Sequence, residues 1–297
     1  MASGEAAFIA ALRGMAAHPA ARGLADDCAV LEVGPESASL TLILTHDMMV
    51  EGVHWLPGQD PADVAWKLLA TNLSDLAAKG AEPLGVLLGY TLAQDNARFA
   101  EGLGAALAHF GVPLLGGDTV RTPGPQTLGL TALGRATHRP VPSRSGARAG
   151  DGVWITGPVG AAMLGFEALS AGDSSANTTA YRRPVPRLGE GRALAPLVTA
   201  MMDISDGLLL DATRMAEASE VTLALDPEAI PLPAGLPGSR ARDALSWGDD
   251  YELLFTLPPG TAPPCAAHRI GAVLPRGAAP LLLGGSPPEG PLGYEHC

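Results

Sequence analysis

Val198-Thr199-Ala200-Met201-Met202-Asp203-Ile204-Ser205-Asp206-Gly207 reads as an apolar strand that ends among carboxylates and opens a helix. Val198 to Ile204 is apolar enough for a buried strand, and Leu208 to Ala218 follows with helical spacing. Such strand-to-helix junctions recur in α/β folds and set polar side chains at the mouth of a sheet. Carboxylate oxygens of Asp203 and Asp206 can hold a cation there, while free N–H groups at a helix start can hold a phosphate. A Ser or Asp before a helix is also a common cap, and for Asp206 the two readings weigh about equally. Gly207 does not fall at the sixth place counted from Asp203, which excludes an EF-hand loop.

The same alternation extends in both directions. Toward the N-terminus, Glu5 to Ala17 has helical periodicity, and Cys28 to Val33 and Leu40 to Thr45 read as short strands. Asp60 caps a helix that starts at Pro61, runs to about Lys79 and is stopped by Gly80. Leu84 to Leu92 is a strand, Asn96 to Phe110 a helix, Val112 to Leu115 a strand running into Gly116-Gly117-Asp118-Thr119, and Thr127 to Arg135 a strand. The basic, Pro-rich stretch Thr137 to Ala149 is the best linker candidate and divides the chain into residues 1–137 and 138–297. Beyond it lie strands at Gly152 to Thr156, Val221 to Leu225, Asp250 to Leu257 and His268 to Leu274. Helices are expected at Gly160 to Ser170, Leu188 to Leu197 and Arg240 to Trp247, with the rest of Pro258 to Cys297 mostly loop. Two α/β domains meeting across a cleft is the expected architecture.

Bulk composition narrows the function. The 297 residues carry a formal charge of −12, which argues against general nucleic-acid binding, because that needs clustered Lys and Arg. No run of eighteen apolar residues suggests a membrane span, and residues 1–21 do not read as a signal peptide. Three scattered cysteines without a CxxC pair fit a reducing cytoplasm.

Asp27, Asp47, Asp75, Asp118, Asp203, Asp206 and Asp249 stand at chain breaks or in polar settings along almost the whole length. Gathered in one cleft they would repel each other unless cations sat among them, and an oxygen-only set selects hard ions, above all Mg²⁺. Asp75 sits inside an amphipathic helix among apolar neighbours, so it needs a cation or several donors. Lys67 and Lys79 are candidate partners for it, Lys79 alone being on its face. Gly116-Gly117-Asp118-Thr119 allows close backbone approach to a ligand, although an ordinary turn is the more economical reading. Surface loops would explain the doublets Asp26-Asp27 and Asp249-Asp250, and His54 is equally a loop residue or a phosphate contact. There is no GxxxxGK[ST], no kinase HRD…DFG set, no GxSxG and no HExxH. Any phosphoryl transfer here must work through metals and positioning.

Taken in order, these motifs resemble the thiamine-monophosphate kinases of the aminoimidazole-ribotide-synthetase-like superfamily. The likeness runs through Gly4-Glu5, Asp26-Asp27-Cys28-Ala29, Thr45-His46-Asp47 to Trp55, Asp60-Pro61-Ala62-Asp63, and Asn72 to Ala81. It continues through Gly116 to Thr119, Arg144-Ser145-Gly146, Arg183 to Arg187, Asp203 to Leu208, Gly248 to Leu253 and the tail Gly293-Tyr294-Glu295-His296. The resemblance implies transfer of the ATP γ-phosphate to thiamine monophosphate. Asp27, Thr45, Asp47, Asp75, Asp118, Asp203 and Asp206 match metal-ligating positions, with Asp75, Asp118 and Asp206 central to catalysis. Gly117, Asp118, Arg144 and Ser205 match nucleotide-contacting positions. His54, Asp249 and Tyr294 match positions near the thiamine phosphate, Tyr294 as a platform for the rings. It further implies a homodimer in which N-terminal domains pair their sheets. Ala25, His46, Asp249 and Tyr294 depart from the usual Gly, small hydroxyl residue, Glu and Trp; His46 puts one metal contact in doubt, since imidazole suits Mg²⁺ poorly. The alternatives are a sister ATP-dependent synthetase of the superfamily and a non-catalytic module binding thiamine diphosphate or nucleotide.

Overall fold

Two sheets, each with its own apolar cluster, organise the computed structural model, which describes residues 4–34 and 40–295. His296 and Cys297, part of the tail considered above, lie outside the described residues. The first half contains α1 (Gly4–Arg13), β1 (Ala29–Val33), β2 (Leu40–Val50), α2 (Pro61–Ala78), β3 (Ala81–Thr91), α3 (Asn96–Phe110), β4 (Leu114–Val120) and β5 (Thr127–Ala136). Its sheet has the order β1-β2-β5-β3-β4, antiparallel except for the parallel β3–β4 pair.

The second half contains β6 (Gly152–Ile155), α4 (Ala161–Ser170), α5 (Thr179–Arg182), α6 (Leu188–Leu194), β7 (Ala200–Asp203) and α7 (Leu208–Ala218). It ends with β8 (Thr222–Leu225), α8 (Ala241–Trp247), β9 (Leu253–Leu257), β10 (His268–Leu274) and β11 (Leu281–Leu283). The sheet order is β11-β8-β10-β6-β9-β7.

Three differences from the sequence reading bear on the site. β2 continues past Thr45 to Val50, because its pairing with β5 is unbroken from Leu42–Arg135 to Val50–Thr127. Asp47 therefore sits within a strand. Likewise Gly116 to Thr119 form no turn; they lie inside β4, in register with Leu87 to Tyr90 of β3. Gly117 is needed there because a Cβ would fall 2.0 Å from the Leu88 carbonyl oxygen. Finally, the 137–149 stretch is not a loose linker. Val141 and Ala147 are buried, and Arg22 donates to the carbonyls of Val141 and Pro142 at 3.1 and 3.0 Å.

Helix α2 carries the architecture. The Asp60 carboxylate accepts from Ala62 N at 3.0 Å, satisfying an otherwise unpaired first-turn donor. Leu68, Leu69, Leu73 and Leu76 are fully buried against the first sheet with Ile43, Leu128 and Leu130. Each such leucine contributes about 2 kcal/mol by burial. The end of the same helix, Ala77 and Ala78, packs instead with Leu194, Met201, Leu253 and Phe255 of the second half. One helix is thus shared by both cores, and the cleft lies along this seam.

Candidate active site

Asp27 precedes β1, Asp75 lies in the C-terminal part of α2, and Asp203 ends β7. One carboxylate oxygen of each lies within 4.8 Å of the other two. Asp47 and Asp206 line the same cleft, which has a volume of about 740 Å³. Local bonds hold the acids. Ser74 Oγ donates to Asp203 Oδ2 at 2.6 Å, Thr45 Oγ1 donates to Asp75 Oδ2, and Asp47 N donates to Asn72 Oδ1 at 3.0 Å. Thr45 therefore reaches the cluster through Asp75.

Crowding of buried carboxylates shows in their acidities. Burial, reinforced by the charges of Asp206 and Asp27, pushes Asp47 up to about 6. Burial and then Asp27 raise Asp203 to about 8, against the Ser74 hydrogen bond. Asp75 is raised well above the usual range by burial and by Asp47 and Asp203. Three convergent carboxylates, with Asp75, Asp203 and neighbouring Asp47 resisting ionisation, suit a hard divalent cation, which relieves the repulsion that burial intensifies.

Cations of the protein already flank this cluster. The Lys79 ammonium, fully buried, lies 2.5 Å from Asp26 Oδ1 and 2.5 Å from Asp27 Oδ2. Arg144 Nε donates to Asp27 Oδ1 at 2.6 Å. Burial opposes ionisation of Asp26, but Lys79 and Arg22 overcome it and hold this carboxyl well below the usual range. The doublet Asp26-Asp27 is therefore no surface loop. Neither lysine considered for Asp75 pairs with it among the described residues, since Lys67 lies 2.7 Å from Asp249 Oδ2.

The Ser205-Asp206 segment also differs from its sequence reading. Gly207, not Asp206, is the helix cap. The backbone N–H groups of Ser205 and Asp206 both donate to Asp211 Oδ2 at 3.1 Å, so they do not face the cleft as a phosphate cradle. Asp206 itself lines the cleft and pairs with Arg214 at 2.5 Å; Arg214 also reaches Asp211 Oδ1 at 2.9 Å. Asp211, wholly buried, fixes this loop from behind, and burial plus the Asp206 charge push it up to about 7.

The far end of the cleft is aromatic. Phe166 packs against Tyr181 and Trp247 with ring centroids 5.4 and 5.1 Å apart. The Lys67 ammonium stands 3.9 Å from the Tyr181 ring centre and donates to the His54 carbonyl at 3.0 Å. Asp249 is held by Lys67 and by the Tyr251 hydroxyl, which donates at 2.9 Å. His54, Asp249 and Tyr294 all line the cleft, and the Tyr294 N–H donates to the Asp206 carbonyl at 2.9 Å.

Gly117 and Asp118 are not brought to this cleft. Asp118 lies on the exposed edge strand β4, in the row Met48–Gly129–Gly89–Asp118, and lines a separate hollow of about 280 Å³. His46 and Met48 line both hollows, and His46 Nδ1 is 2.8 Å from Thr131 Oγ1. Sequence reasoning missed Asp211, Phe166, Tyr181 and Trp247, and it considered Lys67 and Lys79 only as partners of Asp75. Asp211 had a legible signal, an acid in the first turn of the helix that Gly207 opens; the aromatics come from three separate elements and had none.

Residues 25–136 match the family described as AIR synthase related protein, N-terminal domain, and residues 148–268 match its C-terminal domain. The thiamine-monophosphate kinase of Escherichia coli K12 is 39% identical over 255 residues, covering 80% of this chain and 76% of that protein. The enzyme of the same name from Caulobacter vibrioides is 40% identical over 266 residues, covering 82% of this chain and 73% of that protein. A solved structure described as AaThiL complexed with AMPPCP and TMP superposes with a TM-score of 0.86 at 28% identity, covering 98% of this chain and 96% of that one.

Proposed function

Because the chain belongs to the thiamine-monophosphate kinase family of AIR synthase related proteins, we propose that it phosphorylates thiamine monophosphate with ATP, by direct in-line transfer of the γ-phosphate. The observation that carries this reading is the convergence of Asp27, Asp75 and Asp203 at one end of a cleft whose other end is aromatic. The related structure bound to AMPPCP and TMP supports the same pair of ligands here.

The attacking atom would be a phosphate oxygen that is already anionic, so no strong general base is required. The obstacle is bringing two polyanions together. Asp27, Asp75 and Asp203, with Asp47 and Asp206 beside them, would hold Mg²⁺ ions, which supply charge neutralisation to the transferring group. Ser74 and Thr45 orient two of these carboxylates, and Asn72 fixes the backbone beside Asp47. Arg144 and Ser205 line the cleft at its acidic end and would meet the nucleotide. Trp247, Phe166 and Tyr294 offer flat apolar faces to the thiamine rings, while His54 and Asp249 stand beside them.

Gly117 and Asp118 fit the reading only through a second copy of the chain. Beside Asp118 the outer face of the first sheet exposes Met48, Leu87, Leu115 and Val120, an apolar surface suited to pairing with another such sheet. A homodimer with each Asp118 near the partner's cleft is therefore part of the proposal, as is the division into residues 1–137 and 138–297. Free Cys28 and Cys265 support a cytoplasmic setting, and no helix among the described residues is long and apolar enough to cross a membrane.

The test is product analysis. Purified protein with ATP, thiamine monophosphate and Mg²⁺ should yield thiamine diphosphate and ADP in equal amounts. ATP consumption with no thiamine diphosphate would overturn the substrate assignment in favour of a sister synthetase. Tight ligand binding without turnover would favour a binding module.

A further inference from the structure

Asp27 is held from two sides by two cations of different character. From the interior, Lys79 Nζ lies 2.5 Å from Oδ2; its other contacts are Asp26 Oδ1 at 2.5 Å and the Met201 carbonyl at 3.4 Å. The ammonium donates to Asp26 and the Met201 carbonyl and ion-pairs with Asp27, the side chain is 0% exposed, and it does not reach the cleft surface. From the cleft, the Arg144 guanidinium takes Oδ1, with Nε at 2.6 Å. Arg144 is 22% exposed at its side chain and lines the cleft.

The backbone of Arg144 is anchored while its side chain is not enclosed. Its N–H donates to Asp26 Oδ1 at 3.3 Å, and its carbonyl accepts from Ser219 Oγ at 3.1 Å. Ser219 Oγ also accepts from the N–H groups of Gly146 and Ala147 at 3.1 and 3.2 Å, pinning the segment. A guanidinium on a fixed backbone, with solvent on one side, can rotate away from its carboxylate. A lysine sealed between two carboxylates and a carbonyl cannot.

We propose that Arg144 is an exchangeable counter-ion of the acidic cluster: it neutralises Asp27 when no divalent cation is bound, is displaced from Oδ1 by that cation, and is thereby released to bind nucleotide phosphate, while Lys79 stays in place and fixes Asp27 throughout. The inference rests on the reading of Asp27, Asp75 and Asp203 as a divalent-ion site, and it adds an order of events, since the arginine becomes free for the anion only after the cation has entered. Exchange also keeps a positive group on Asp27 in both states, so the buried carboxylate is never left uncompensated. Lys79 and Arg144 are positioning residues in this scheme until Arg144 meets the phosphate.

Manganese titration without nucleotide, followed by electron paramagnetic resonance, tests the exchange. Removing the competing cation in R144M should tighten Mn²⁺ binding about tenfold, within the range of ordinary coupling between sites. R144K, which keeps the charge, should stay near wild type. AMPPCP binding to Mn²⁺-loaded R144M should weaken. Unchanged or weaker Mn²⁺ binding in a folded R144M would overturn the exchange and leave the metal site standing. No Mn²⁺ binding by wild type would overturn both. Should R144M not fold, crystals of wild type with and without Mg²⁺ decide. The Arg144–Asp27 contact should break on loading and the Lys79–Asp27 contact persist; an Arg144 still seated on Asp27 in the loaded form would overturn the proposal.

Discussion

Ser74 Oγ donates to Asp203 Oδ2 at 2.6 Å, and this single bond joins α2 of the first half to the end of β7 in the second. Both residues are buried. The bond favours the ionised form of a carboxylate that burial otherwise pushes up to about 8. Replacing Ser74 by Ala should therefore raise the Asp203 pKa further and move the rising, acidic limb of the Mg²⁺-dependent pH–rate profile to higher pH. It should cost about 1 kcal/mol of stability. A pH–rate profile identical to wild type would show that Ser74 does not tune Asp203.

Asp75→Asn and Asp206→Asn should each lower kcat by about a hundredfold or more, because each removes charge that would hold a cation against the transferring group. For Asp75 the metal-free fold should hold or gain stability, since a buried carboxylate repelled by Asp47 and Asp203 is lost. Circular dichroism and melting of the metal-free variant check this. Near-wild-type turnover in both variants would count heavily against a shared cluster.

Stability of the metal-free protein should fall as pH rises from about 6 to 8. Asp47 is raised to about 6, Asp211 to about 7 and Asp203 to about 8, so across this window the fold binds more protons than the unfolded chain. Deprotonation then costs stability, by at least ~2 °C in melting temperature. Saturating Mg²⁺ should flatten the slope by replacing those protons. A metal-free melting temperature that climbs between pH 6 and 8 would show that the cluster titrates below this range.

How far the residues alone disclosed this site follows from where each signal lies. Asp203, Asp206 and the α7 start were legible because strand, acid and helix are contiguous. Asp75 was legible because a carboxylate at an apolar helix position needs a partner. Lys79 was placed on the right helix and given the wrong partner, since its true partners, Asp26 and Asp27, lie some fifty residues earlier in the chain and only the fold brings them together. The aromatic end was invisible for a similar reason: Phe166, Tyr181 and Trp247 belong to α4, α5 and α8. Asp118 was taken as a turn residue because two glycines mark turns, whereas in β4 Gly117 serves the close approach to β3.

Tyr294→Ala should raise the KM for thiamine monophosphate several-fold while leaving that for ATP little changed, as loss of one stacking face weakens binding by about 1 kcal/mol. Steady-state kinetics with each substrate varied in turn separates the two. An unchanged KM for thiamine monophosphate would refute the platform role.

Leu87→Asp, on the outer face of the first sheet, should convert a dimer to monomer and depress turnover with it, because Asp118 would no longer meet a partner's cleft. Sedimentation velocity at micromolar concentration reads the mass. A wild-type protein that sediments as a monomer yet turns over fully would remove the second copy from the account.

Anomalous scattering from crystals grown with Mn²⁺, AMPPCP and thiamine monophosphate tests the central claim most directly. The account predicts manganese peaks within bonding distance of Asp27, Asp75 and Asp203. Ligands bound in the cleft with no peak at these carboxylates would contradict it.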